Sequence, residues 1–137
     1  MELEPYLFFD GNCEEALAFY ADVFGGEVTS LHRFEGSPME SQLPPDYKTK
    51  VMHANFEAPT LRFMASDGIP GTKRSGGRIS LSLGTRDVSE AEGVFKRLSE
   101  GGSVSMPFQD TFWGAKFGML TDRYGIDWMV NCEASSS

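Results

Sequence analysis

Two hydrophobic periods alternate along the chain, and their order occurs twice. Pro5-Tyr-Leu-Phe-Phe9 reads as a short β strand and Asp10-Gly-Asn12 as turn and cap chemistry. Asn12 with Glu15 has the spacing of a capping box, and Ala16, Leu17, Phe19, Tyr20, Val23 and Phe24 follow at helical spacing until Gly25-Gly26 stops the helix. Glu27 to Arg33 then returns to a strand period. The same grammar comes back about 75 positions later. Ile79-Ser-Leu-Ser-Leu83 is the strand and Asp87 with Glu90 the cap pair. Ala91, Val94, Phe95 and Leu98 form the helix face, and Gly101-Gly102 is the stop. Lys50 to Phe56 matches Ala115 to Thr121, and Leu61 to Ala65 matches Ile126 to Val130. Each copy therefore predicts strand, helix, then three strands.

The first copy carries extra residues at 34–49, "FEGSPMESQLPPDYKT", whose prolines and polar side chains predict a loop or lid rather than core. The expected organisation is a single domain of two modules. The first is 1–69 with its insertion at 34–49, a linker follows at 70–78, the second module is 79–131, and 132–137 is a tail. A βαβββ unit has one apolar helix face and one curved sheet, so two units can share a core. Laid edge to edge they would make an α+β fold with an eight-stranded, half-open barrel and a concave interior fit for a ligand.

Composition narrows the partners. Twelve basic against twenty acidic side chains give a net charge of −8, which repels phosphate backbones and anionic lipid surfaces, so nucleic acid and membrane are not expected. The stretch MELEPYLFFD has acids where a signal peptide would carry cations, and no apolar run approaches the roughly 18 residues of a membrane span. A cytoplasmic protein is expected. Cys13 and Cys132 have no metal-knuckle or redox spacing and read as two free buried thiols. The pair Ser66-Asp67 has no adjacent histidine and lies in turn chemistry, which argues against a hydrolytic triad.

The stretches "YLFFDGNCEEALAFYADVFGGE", "MHANFEAPTLRFMASD", "ISLSL" and "QDTFWGAKFGMLTDRYGIDWMVN" together span nearly the whole chain. They resemble the vicinal oxygen chelate superfamily of glyoxalase I, extradiol dioxygenases and bleomycin resistance proteins. The likeness is to its PhnB-like branch, often labelled 3-demethylubiquinone-9 3-methyltransferase. The resemblance implies paired βαβββ modules, a homodimer, and a metal or a small molecule in the cup. Its metal-binding members present four His, Glu or Gln side chains, and the corresponding positions here are at or near Pro5, His53, Arg78 and Met129. Only His53 could ligate a metal of the glyoxalase type: proline has no donor, arginine repels the ion, and a lone thioether suits Cu(I). No metal cofactor is therefore expected. A register shift that brings in Glu4 or Asp127 would restore a metal-dependent lyase, isomerase or dioxygenase built on His53.

The methyltransferase label meets a physical objection. An S-adenosylmethionine enzyme of the common type needs a large parallel sheet and a glycine turn that opens a helix, whereas the glycine pairs here close helices. The candidate site residues are His53, as general base or hydrogen-bond donor, and Asn55 on the same strand face. Phe112 and Trp113 are candidates as aromatic walls, Gln109 and Thr111 as hydrogen-bonders, and Arg78 or Lys116 as partners for an anionic group. Gly114 and Gly118 beside these aromatics predict open space, and Phe117 is expected in the core.

Overall fold

The structure is a computed structural model that describes residues 1–71, 78–111 and 114–133. The chain divides into two compact units, Met1–Lys73 and Arg74–Ser137. In the first, β1 (Tyr6–Phe9), α1 (Cys13–Phe24), β2 (Glu27–Arg33), β3 (Val51–Ala58) and β4 (Leu61–Asp67) follow in order. The sheet order is β1-β4-β3-β2, with β1 parallel to β4 and the other pairs antiparallel. The second unit repeats this with β5 (Leu81–Thr85), α2 (Val88–Ser99), β6 (Ser103–Asp110), β7 (Lys116–Thr121) and β8 (Asp127–Cys132), ordered β5-β8-β7-β6. Identical order and identical parallel pairing make the duplication structural as well as sequential.

Strand alternation divides each sheet into two faces. In the first unit Leu7, Phe9, Ala54, Phe56, Phe63 and Ala65 are buried on the helix side, where Cys13, Ala16, Leu17, Tyr20 and Val23 of α1 are buried too. Tyr20 meets Phe63 edge-on at 5.8 Å, and Phe56 stacks on Phe63 at 4.7 Å. The alternate set, Tyr6, Phe8, His53, Asn55 and Met64, faces away from α1. Val51 departs from the expected alternation and is fully buried, since its strand starts beside a register shift between His32 and Arg33.

The helix ends differ in their chemistry. Gly25 closes α1 in the left-handed region at φ 67°, as its position after the last apolar residue predicts. Asp87 caps α2 by accepting from the Glu90 N–H at 3.2 Å. Asn12 makes no side-chain cap; the capping box expected there is replaced by a residue from the far end of the unit. Asp67 Oδ1 accepts from the Gly11 and Cys13 N–H groups, both at 2.8 Å, and its Oδ2 accepts from the Val51 N–H at 2.9 Å. This one buried carboxylate ties the end of β4 to the start of α1 and the start of β3.

Two further expectations are corrected. The segment 34–49 is not a free lid: Phe34 is only 3% exposed, its ring lies 5.3 Å from that of Tyr47, and the Tyr47 hydroxyl donates to the Gly68 carbonyl. Two single turns of 3₁₀ helix, Glu40–Gln42 and Pro45–Tyr47, shape the stretch between them. The strand expected at 79–83 begins at Leu81 and runs to Thr85, leaving Ile79 82% exposed. Pairing with β8, from Leu81 opposite Trp128 to Thr85 opposite Cys132, sets those bounds and overrides the weak strand preference of Gly84.

Candidate functional site

The helix-free face of the first unit collects the side chains with usable chemistry. His53 on β3 is half-buried, with each ring nitrogen 3.1 Å from a partner, Nδ1 from the Tyr6 hydroxyl and Nε2 from Asn55 Oδ1. Asn55 reaches it because residues two apart on a strand share a face. Tyr6 reaches it from β1 across β4, since β1 and β3 both pair with that strand. The Tyr6 ring stacks on Phe8 with centroids 4.8 Å apart, and Phe8 is 47% exposed. On the neighbouring strand β2, His32 pairs in register with His53 and Ser30 with Asn55. Tyr6, Phe8 and His32 are absent from the sequence-based candidates, although the alternation of "YLFF" already put Tyr6 and Phe8 on one face.

The candidates in the second unit fare differently. Gln109 is exposed on β6, opposite Phe117. The Thr111 hydroxyl donates to the Ala115 carbonyl at 2.7 Å and accepts from the Ala115 N–H at 3.3 Å. It closes the β6–β7 turn, so a ligand would have to compete with that pair. Arg78 is exposed and makes no hydrogen bond or ion pair among the described residues. Phe112 and Trp113 lie outside the described residues. Lys116 pairs with Glu92 at 3.2 Å and lies over the Phe108 ring at 5.8 Å.

The open space expected beside Gly118 does not exist. A Cβ there would lie 2.7 Å from Phe95 Cε2 and 2.9 Å from Phe108 Cα, so the glycine permits close packing of α2 and β6 on β7. Phe117, expected in the core, is half-buried, because Gly118 and Leu120 are the β7 residues that alternation turns toward α2.

A concavity of about 680 Å³ opens at the start of α1 and is lined by Gly11, Asn12, Glu14, Arg33, Lys50 and Asp67 among others. Several of its charged groups are already engaged within the protein. Arg33 forks onto both Glu14 oxygens at 3.0 and 2.8 Å, and Lys50 donates to the Gly11 carbonyl at 2.8 Å. The hydrogen bond from Arg33 holds the Glu14 carboxyl below its ordinary range. Cys13 begins the helix, yet burial pushes its thiol up to about 12, helped by the Asp67 and Glu14 charges. A helix-start thiolate is thus disfavoured here, and both cysteines are free and buried.

Among the described residues no three His, Cys, Asp or Glu side chains cluster to hold a metal ion. The residues that the family resemblance puts at or near the superfamily's ligand positions differ in their donors. Pro5 lacks a donor, Arg78 is cationic, Met129 offers a thioether, and both His53 nitrogens are engaged within the protein. No helix among the described residues is long and apolar enough to cross a membrane.

Two four-stranded sheets, each with one helix and a single parallel edge pair, define an α+β protein of two βαβββ modules. A solved glyoxalase/bleomycin resistance protein/dioxygenase domain from Frankia sp. EAN1pec shares this fold at a TM-score of 0.68 and 14% identity, with 97% of each chain covered. The family described as 3-demethylubiquinone-9 3-methyltransferase matches residues 1–131, and the chain belongs to it. Protein YjdN of Escherichia coli K12 is 34% identical, with 96% of this chain and 95% of YjdN covered. Protein PA1353 from Pseudomonas aeruginosa is 44% identical at a TM-score of 0.85, with 98% of this chain and 99% of that one covered. The PhnB protein from Bacillus cereus is 28% identical at 0.82, with 96% and 99% covered. The family's descriptive label names a methyl transfer, but neither sheet has the parallel array that reaction's common cofactor fold uses.

Proposed function

We propose that this protein holds a small organic molecule on the helix-free face of β1, β4 and β3, without a metal of the glyoxalase type. The observation that carries the reading is the double engagement of His53. A histidine committed at both nitrogens to Tyr6 and Asn55 is organised for hydrogen bonding within a polar and aromatic surface, and a metal would have to displace one of those bonds. Phe112, Trp113, Gln109 and Arg78, all in the second unit, remain sequence-based ligand-binding candidates in their own right.

Metal analysis of protein purified without a histidine tag tests this directly. Metal-free protein that still binds an aromatic ligand supports the reading. Stoichiometric divalent metal that is lost in His53→Ala would replace it with a metal-dependent lyase, isomerase or dioxygenase. The homodimer implied by the family resemblance belongs to the same proposal, and sedimentation equilibrium decides it.

A further inference from the structure

On that reading, we infer that Tyr6 is the side chain that meets the ligand, with His53 as the positioning residue behind it. Asn55 Oδ1 can only accept, so the His53 Nε2 beside it carries a hydrogen, which is the only ring hydrogen whenever the imidazole is neutral. Nδ1 is then bare and takes the Tyr6 O–H. Tyr6 turns its hydrogen inward, which leaves the oxygen's lone pairs to accept a hydrogen bond from outside the protein. The Asn55 amide nitrogen, the other end of the chain, has no partner among the described residues and is left to donate.

His53 itself has no nitrogen to offer. Its part is to fix the direction of the Tyr6 hydroxyl, and Asn55 fixes the tautomer that does so. The stacked Tyr6 and Phe8 rings add a flat apolar shelf beside the acceptor. The complementary ligand is a planar aromatic molecule with an O–H or N–H donor for Tyr6.

Phenol and anisole, titrated into nitrogen-15-labelled protein, share a ring but only phenol has the donor. Both are expected to shift the amides of β1 and β3. Phenol should bind about three- to tenfold more tightly, the range one neutral hydrogen bond supplies. Tyr6→Phe keeps the ring and should erase that preference. Above roughly pH 8, where an ordinary imidazole is neutral, the nitrogen spectrum of His53 should show hydrogen on Nε2 and a bare Nδ1. In Asn55→Ala that tautomer preference should fall. Equal binding of the two probes, a preference that survives in Tyr6→Phe, or hydrogen on Nδ1 overturns the assignment while the small-molecule reading stands. Absence of any shift from either probe removes that reading and this inference together.

Discussion

Two glycines show how differently one residue type can be placed. Gly118 has the Phe108 backbone and the Phe95 ring where a Cβ would go, and backbone cannot step aside. Gly118→Ala is expected to destabilise by about 1–3 kcal/mol, read as a lower denaturant midpoint at an unchanged slope. Gly93, on the exposed side of α2, has nothing within 4 Å of such an atom. Gly93→Ala should stabilise by roughly 0.5–1 kcal/mol, by the helix preference of alanine over glycine. The Cys13 thiol makes a third expectation. Its folded value, about 12, lies above its ordinary 9.0, so the folded state keeps a proton that the unfolded chain releases first. That contribution is complete below about pH 9 and is lost as pH rises from there toward about 12. Comparing unfolding at about pH 8 and about pH 10, the wild type should lose more stability than Cys13→Ala, whose remaining loss reports other groups such as Tyr and Lys.

At the scale of elements, local signals were legible and distant ones were not. The helix faces, the Gly25 stop and the Asp87 cap all follow from residues within a few positions of one another. The α1 start also looked local, yet the cap is Asp67, 54 residues from Cys13, so no spacing rule could announce it. A comparison of variants separates the two cases by thermal unfolding. Asn12→Ala should cost less than about 0.5 kcal/mol, for it makes no cap bond, and Asp87→Ala about 1 kcal/mol. Asp67→Asn should cost about 2–4 kcal/mol, because an amide cannot reproduce a carboxylate that accepts three N–H bonds, two of them buried. β6 carries a different constraint, as an edge strand with Val104 45% and Met106 40% exposed. Pro107 and two register shifts interrupt its hydrogen-bonding row, which guards such an edge against pairing with another chain.

For the whole molecule, charge is the property that needs no structure. With a net charge of −8, self-repulsion opposes compaction, and the ion pairs among the described residues are largely exposed and contribute little. Raising sodium chloride from about 10 to 150 mM shortens the screening length from roughly 30 to 8 Å. The Tm at neutral pH is expected to rise by a few degrees over that range, as scanning calorimetry would show; a fall would mean that attractive pairs dominate.

The duplicated βαβββ order, the apolar faces of both helices and the placing of His53 with Asn55 on one strand face were legible in the residues alone. Those features follow from the fixed periods of helix and strand, which act between residues close in the chain. Tertiary structure alone decided that Tyr6 holds His53, that Asp67 caps α1, that Phe34 enters the core, and that Gly118 is packed shut. Each depends on which strands lie side by side and in what register, and register is set by the packing of the whole unit rather than by any one stretch.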